Sequence, residues 1–227
     1  MKAKMKKTTD CHRAGRRSAM SGFSLPELTM VLVIISILTA ISLPYILNYT
    51  RLYKSEDQSL MIMDLMREAS QLALTRRRTI RFEIDRTANR ILIIDGKGLG
   101  FADDTEIKAI PIEPASEIRM DQIPMGATRP NPPNYNDVVF VNDTIGHLRG
   151  GTPIIGNTVW QIAFLRDGTA VNAANNASFS ATLYVWAPLT PGNPAPRNIK
   201  EVRAITLFGG SGAVQYWKHN GTTFLAY

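Results

Sequence analysis

From Phe23 to Leu43 the chain reads FSLPELTMVLVIISILTAISL, 21 residues with a single charge at Glu27. A predominantly apolar run of that length predicts a helix about 31 Å long, enough to span a hydrocarbon core. Beyond Pro44 the pattern changes without losing helical spacing. Leu52, Leu60, Met63, Leu65, Met66, Ala69, Leu72 and Ala73 recur at three- and four-residue intervals, with Arg51, Lys54, Glu56, Asp57, Asp64, Arg67 and Glu68 between them. That is an amphipathic stripe suited to a sheet surface. One long helix is therefore predicted from about Phe23 to about Arg78, its first half apolar all round and its second half one-sided. Pro44 lies inside it and should kink or locally open it, or else end the helix after the membrane span.

After residue 79 the period falls to two. Thr79–Asp85 and Arg90–Asp95 read as a hairpin turning at 86–89, and Val138–Val141, Thr158–Leu165, Phe179–Ala187, Glu201–Phe208 and Ala213–Trp217 read as further strands. Arg166-Asp167-Gly168-Thr169 and Gly209-Gly210-Ser211-Gly212 suit hairpin turns. The Pro- and Asn-rich stretches Pro124–Asn136 and Pro188–Asn198 read as surface loops. The expected organisation is a basic leader (1–22), a long helix (23–78, membrane-spanning over 23–43) and a β-rich body (79–227).

Composition alters this picture mainly through the placement of charge. The 227 residues carry 26 Lys+Arg and 19 Asp+Glu, a net +7. Residues 1–22 hold seven of the basic side chains and one acid (Asp10), so nearly all the excess sits in the head of the chain. A globally basic surface for nucleic acid therefore loses its support. The leader ahead of the apolar run directs the N-terminus to the cytoplasm and the body across the membrane. The single cysteine, Cys11, lies in the leader, so the body forms no disulfide.

Three readings of the N-terminal block compete. A secretory signal peptide needs small residues before its cut, and Leu38-Thr39-Ala40 offers a large Leu instead. A plain membrane anchor leaves Glu27 unexplained, because a carboxylate at the bilayer centre costs roughly 2.5–3.5 kcal/mol, less near an edge. The third starts from Gly22-Phe23-Ser24-Leu25-Pro26-Glu27-Leu28. This segment resembles the prepilin cleavage and methylation motif of type IV pilins and type II secretion pseudopilins. The resemblance implies that a prepilin peptidase cuts after Gly22, that Phe23 becomes an N-methylated terminus, and that Glu27 is the acid that sets register in a filament. Pro26 suits the first turn, where a missing N–H matters little.

Weaker matches extend along the chain. Leu65–Arg81, Ile162–Gly168 and the closing Ile205…Gly212…Val214 resemble the GspH/FimT branch of that family. The branch implies an α+β, type IV pilin-like fold, with the long N-terminal helix packed on an antiparallel β-sheet domain. It implies a minor pseudopilin of a type II secretion system or, alternatively, a FimT-like minor pilin of a type IV pilus with a role in DNA uptake. Its partners would be the prepilin peptidase, other filament subunits, the inner-membrane assembly platform and membrane lipid. Members of the branch that bind DNA carry a basic C-terminal hairpin. Here that stretch holds Lys218 but no arginine pair.

Arg76, Arg77 and Arg78, with Arg81, form the one basic cluster of the body and the other candidate nucleic-acid contact. The simpler reading is a solvated helix C-terminus, since no aromatic residues are interleaved to stack bases. Enzymatic motifs fail individually. Gly96 and Gly98 begin a dinucleotide-type loop, but Phe101 stands where its next glycine belongs. His12, His147 and His219 show no metal-ligand spacing, and Asp103-Asp104-Thr105-Glu106 reads as solvated loop acids. No catalytic residue, metal or cofactor is expected.

Overall fold

The structure, a computed structural model, describes residues 24–96 and 104–227, with side chains at 44–45 and 47–52 excepted. The chain divides into two compact units, one ending at Tyr45 and the other running Ile46–Tyr227. Helix α1 is Leu25–Arg76 and continues through Pro44 as backbone. Ser24 opens it, its carbonyl accepting the Glu27 and Leu28 amides at 3.1 Å each. Arg77 closes it in the left-handed region at φ 53°, and the Arg78 amide reaches back to the Ala73 carbonyl at 3.3 Å. That is the six-to-one bond of a Schellman cap, with an arginine where glycine is usual.

The body overturns the expected fold class. It is not a long helix laid on one antiparallel sheet but a mostly β assembly of two sheets. The first has eight strands: β1 (Thr79–Asp85), β2 (Arg90–Gly96), β3 (Thr105–Pro111), β5 (Val141–Asn142), β6 (His147–Arg149), β7 (Thr152–Ile154), β8 (Thr158–Phe164) and β9 (Ala170–Val171). Its order is β5-β8-β1-β2-β3-β6-β7, with β9 beside β8, and the β3–β6 pair is parallel, so the sheet is mixed. The second has five strands: β4 (Arg119–Asp121), β10 (Ala181–Trp186), β11 (Arg203–Phe208), β12 (Ala213–His219) and β13 (Phe224–Ala226). Alternation did not reveal β3, β6 or β7, because short and half-exposed strands carry little period-two signal.

One core joins the second half of α1 to both sheets. Ile62, Leu65, Met66, Ala69 and Ala73 pack with Ile80, Phe82 and Ile84 of β1, Trp160, Ile162 and Phe164 of β8, and Leu183, Ile205 and Tyr216 of the second sheet. The second sheet is also covered on its far face. There Tyr184, Trp186, Val202, Ala204 and Phe224 form a smaller cluster under Ile123 and Ala127. Part of the stretch expected as a surface loop therefore caps a core, and β10 is buried at every position.

β1 is the central strand of the first sheet, paired antiparallel with β2 and β8. Its even-numbered residues enter the main core. Its odd-numbered residues, Arg81, Glu83 and Asp85, point to the opposite face and are also buried.

Candidate functional site

The described N-terminal segment is an exposed apolar helix. From Leu25 to Leu43 no residue is buried, and the stretch is long and apolar enough to cross a membrane. Gly22 and Phe23 lie outside the described residues, as does the rest of the leader. Glu27 sits in the first turn, 3.5 Å from the Ser24 hydroxyl. Ser24-x-x-Glu27 is the spacing of a capping box, so the carboxylate also has a local role at the helix start.

The basic residues singled out in the sequence do not form one surface. Arg76 and Arg78 approach Asp95 at 3.5 and 3.8 Å. Arg77 and Arg78 line a cleft of about 660 Å³ with Arg166 and Asp167. Arg81 departs from the cluster: it is buried and bonds Asp104 at 3.1 Å. Lys218 is hydrogen-bonded to Glu56, which Arg203 also approaches at 3.4 Å. Glu56 and Arg76 are twenty residues apart on one helix, roughly 30 Å by the helical rise, so Lys218 and the arginines cannot share one small contact.

The chemically richest place lies behind β1. The segment from Asp143 to Asn157 covers the odd-numbered face of that strand. Asn157 donates to Asp85 at 2.7 Å, and the Arg81 guanidinium reaches both Asp104 and the Gly146 carbonyl. Asp143 is held in place by the Ile145 amide at 3.0 Å and the Gly146 amide at 3.1 Å. Gly146 has φ 70°, and a Cβ there would stand 2.8 Å from the Ile154 carbonyl, so the turn needs glycine. That turn delivers His147, fully buried, at the start of β6. The His147 Nε2 is 2.9 Å from Glu106, which also accepts from Arg149 at 2.7 Å.

Glu83, Asp143 and His147 thus bring three ligand-type atoms within 4.8 Å of one another, all buried. The His147 Nδ1 faces a Glu83 oxygen at 3.9 Å. Neither Glu83 oxygen has a hydrogen-bond partner, and neither does the His147 Nδ1. Burial pushes the Glu83 carboxyl up to about 8, against the pull of Arg81. Burial also lowers His147, with Glu106 opposing. Asp104 and Glu106 are therefore not the solvated loop acids expected from sequence: Asp104 is buried and both are engaged. Sequence reasoning missed Glu83, Asp143 and His147 because they lie far apart in the chain and fit no ligand spacing. The only local hint was a charge at every second position of a strand that is apolar between them.

The chain matches no protein-family model, no curated protein and no solved structure.

Proposed function

We propose that the chain is a minor pseudopilin subunit of a type II protein secretion system. In this reading prepilin peptidase removes residues 1–22 after Gly22, and Phe23 becomes the N-methylated terminus. The apolar helix then holds the protein in the inner membrane, with its C-terminal domain in the periplasm. Assembly into a filament exchanges lipid contacts for contacts with neighbouring subunits on the assembly platform. The observation that carries the reading is one acid, Glu27, in the first turn of an apolar helix whose side chains from Leu25 to Leu43 are all exposed, directly after Gly22-Phe23-Ser24-Leu25-Pro26. In a filament core of low dielectric, Glu27 pairs with the cationic N-terminus of a neighbour, and an unpaired partner is penalised. The reading is non-enzymatic. The pseudopilin assignment rests on the N-terminal helix and its motif, and the minor-subunit assignment on the resemblance of Leu65–Arg81, Ile162–Gly168 and Ile205…Gly212…Val214 to the GspH/FimT branch.

Intact mass and terminal peptide sequencing of the protein from native membranes test it. The expected product starts at N-methylated Phe23. A chain that retains residues 1–22 means a plain anchor, and one that starts near Ala40 means a released protein; either outcome overturns the proposal. Glu27→Ala should be processed normally yet be recovered in filaments at a small fraction of the wild-type level. Normal assembly would remove the register role.

A minor pilin of a type IV pilus that touches DNA is the second reading, favoured by the cleft that Arg77, Arg78 and Arg166 line. Lys218 contributes little to it, being tied to Glu56. A salt-dependent mobility shift of short duplex DNA, lost in Arg77→Ala/Arg78→Ala, would support this reading. No shift at low salt would end it.

A further inference from the structure

We propose that Glu83, Asp143 and His147 form a buried binding site for one divalent metal cation of the Zn²⁺ class. Buried polar atoms in folded proteins nearly always have partners. Here Glu83, both of whose oxygens lack hydrogen bonds, and the His147 Nδ1, which also lacks one, face each other, with one Glu83 oxygen 3.9 Å from Nδ1. A cation between them satisfies that oxygen and the Nδ1 at once. The ligand atoms already lie within 4.8 Å of one another, so metal bonds of about 2.0–2.2 Å require only a modest contraction.

The surroundings support the same conclusion. The His147 Nε2 faces the Glu106 carboxylate at 2.9 Å, which assigns the ring proton to Nε2 and leaves the Nδ1 lone pair aimed at Glu83. A carboxylate that orients the far nitrogen of a ligating imidazole is the usual second layer of a metal site. Two backbone amides fix the Asp143 carboxylate from one side and leave it lone pairs to spare. Charge adds a further reason. Arg81 and Arg149 hydrogen-bond Asp104 and Glu106. Glu83 keeps only the 3.8 Å approach of Arg81, and among the described residues no ion pair is seen for Asp143. A divalent cation balances both carboxylates.

The imidazole nitrogen disfavours Mg²⁺ and Ca²⁺, while a single nitrogen with two carboxylates suits Zn²⁺. A cation there would have a structural role: it would pin the segment from Asp143 to His147 onto the back of β1. The proposal is independent of the filament reading.

The test uses the untagged full chain in detergent, with Cys11→Ser and His12→Asn so that the leader cannot bind metal. After chelator treatment and dialysis, Zn²⁺ is added, excess is removed, and bound metal is counted by elemental analysis alongside Tm. The expected result is one Zn²⁺ per chain and a higher Tm, both lost in His147→Gln, with Glu106→Gln weakening affinity about tenfold. No retained Zn²⁺, or full retention by a folded His147→Gln, overturns the proposal. Should His147→Gln fail to fold, Co²⁺ added to the otherwise unchanged chain decides. A visible spectrum of a low-symmetry, nitrogen-ligated complex at one equivalent supports the site, and a spectrum identical to aqueous Co²⁺ overturns it.

Discussion

Two regions of this protein reverse the ordinary rule of apolar inside and polar outside, in opposite directions. From Leu25 to Leu43 the helix exposes Leu, Ile and Val along its whole circumference. Behind β1, by contrast, Arg81, Glu83 and Asp85 are buried at 4%, 0% and 0% exposure, facing Asp104, Asp143 and His147. Each inversion is a demand for a partner. Exposed apolar surface of this extent is far beyond what a soluble monomer keeps uncovered, so the helix needs lipid or neighbouring helices. A buried charge layer needs opposite charges at close range, and the body supplies most of them from its own loops. The first demand arises from one contiguous segment, whereas the body meets the second largely from loops distant in sequence, which is why the first can be read from a short segment and the second cannot.

The strongest way to break that comparison is to remove one charge from the buried layer. Arg81→Met removes the guanidinium that Asp104 bonds at 3.1 Å and should cost about 3–5 kcal/mol, read from urea unfolding in detergent. Glu83→Gln should by contrast stay within about 1 kcal/mol of wild type at pH 7 without metal, because Glu83 is mostly protonated there. If both variants were equally mild, the layer would not be an electrostatic unit.

The converse experiment adds a charge to the exposed region. Ile35→Arg should cost roughly 2.5–3.5 kcal/mol in membrane insertion. It should leave the unfolding midpoint of the body unchanged, since Ile35 is 53% exposed. Membrane extraction and a thermal melt on the same sample check both halves. A body that melts early would show that the helix is part of its core.

The smallest effect sharpens the comparison at an intermediate site. Burial works to raise the Glu56 carboxyl, but the Lys218 hydrogen bond and the charge of Arg203 outweigh it, so its pKa lies below the ordinary 4.5. A lowered carboxylate pKa contributes stability above the unfolded value and loses it as pH falls through the folded one. Glu56→Gln should therefore cost about 1 kcal/mol at neutral pH, with the difference from wild type shrinking as pH falls below 4.5 and vanishing once pH is below the lowered folded value. Unfolding midpoints of both proteins across that range measure it. A constant difference would assign the effect to packing instead.

The same contrast shows how much was legible beforehand. Hydropathy alone located the exposed helix, because a spanning segment is a local property of about 20 residues. The β1–β2 hairpin was legible for a similar reason: strict alternation of Ile80, Phe82 and Ile84 around a turn is a local signal. The fold class was not. Whether strands form one antiparallel sheet or two sheets with a parallel pair depends on which distant strands meet, and alternation is silent on that. The candidate cation site failed for a sharper reason. Arg81, Glu83 and Asp85 look like the solvent face of an amphipathic strand until a segment some sixty residues later covers them.

By itself, then, the sequence determined the apolar helix, its lone acid and the motif ahead of it, because each is written in contiguous residues. Only the tertiary structure decided that the second half of that helix is buried by two sheets, that Lys218 is tied to Glu56, and that Glu83, Asp143 and His147 meet. Those outcomes depend on long-range pairing, whose energy comes from burial and charge compensation between residues that no local pattern connects.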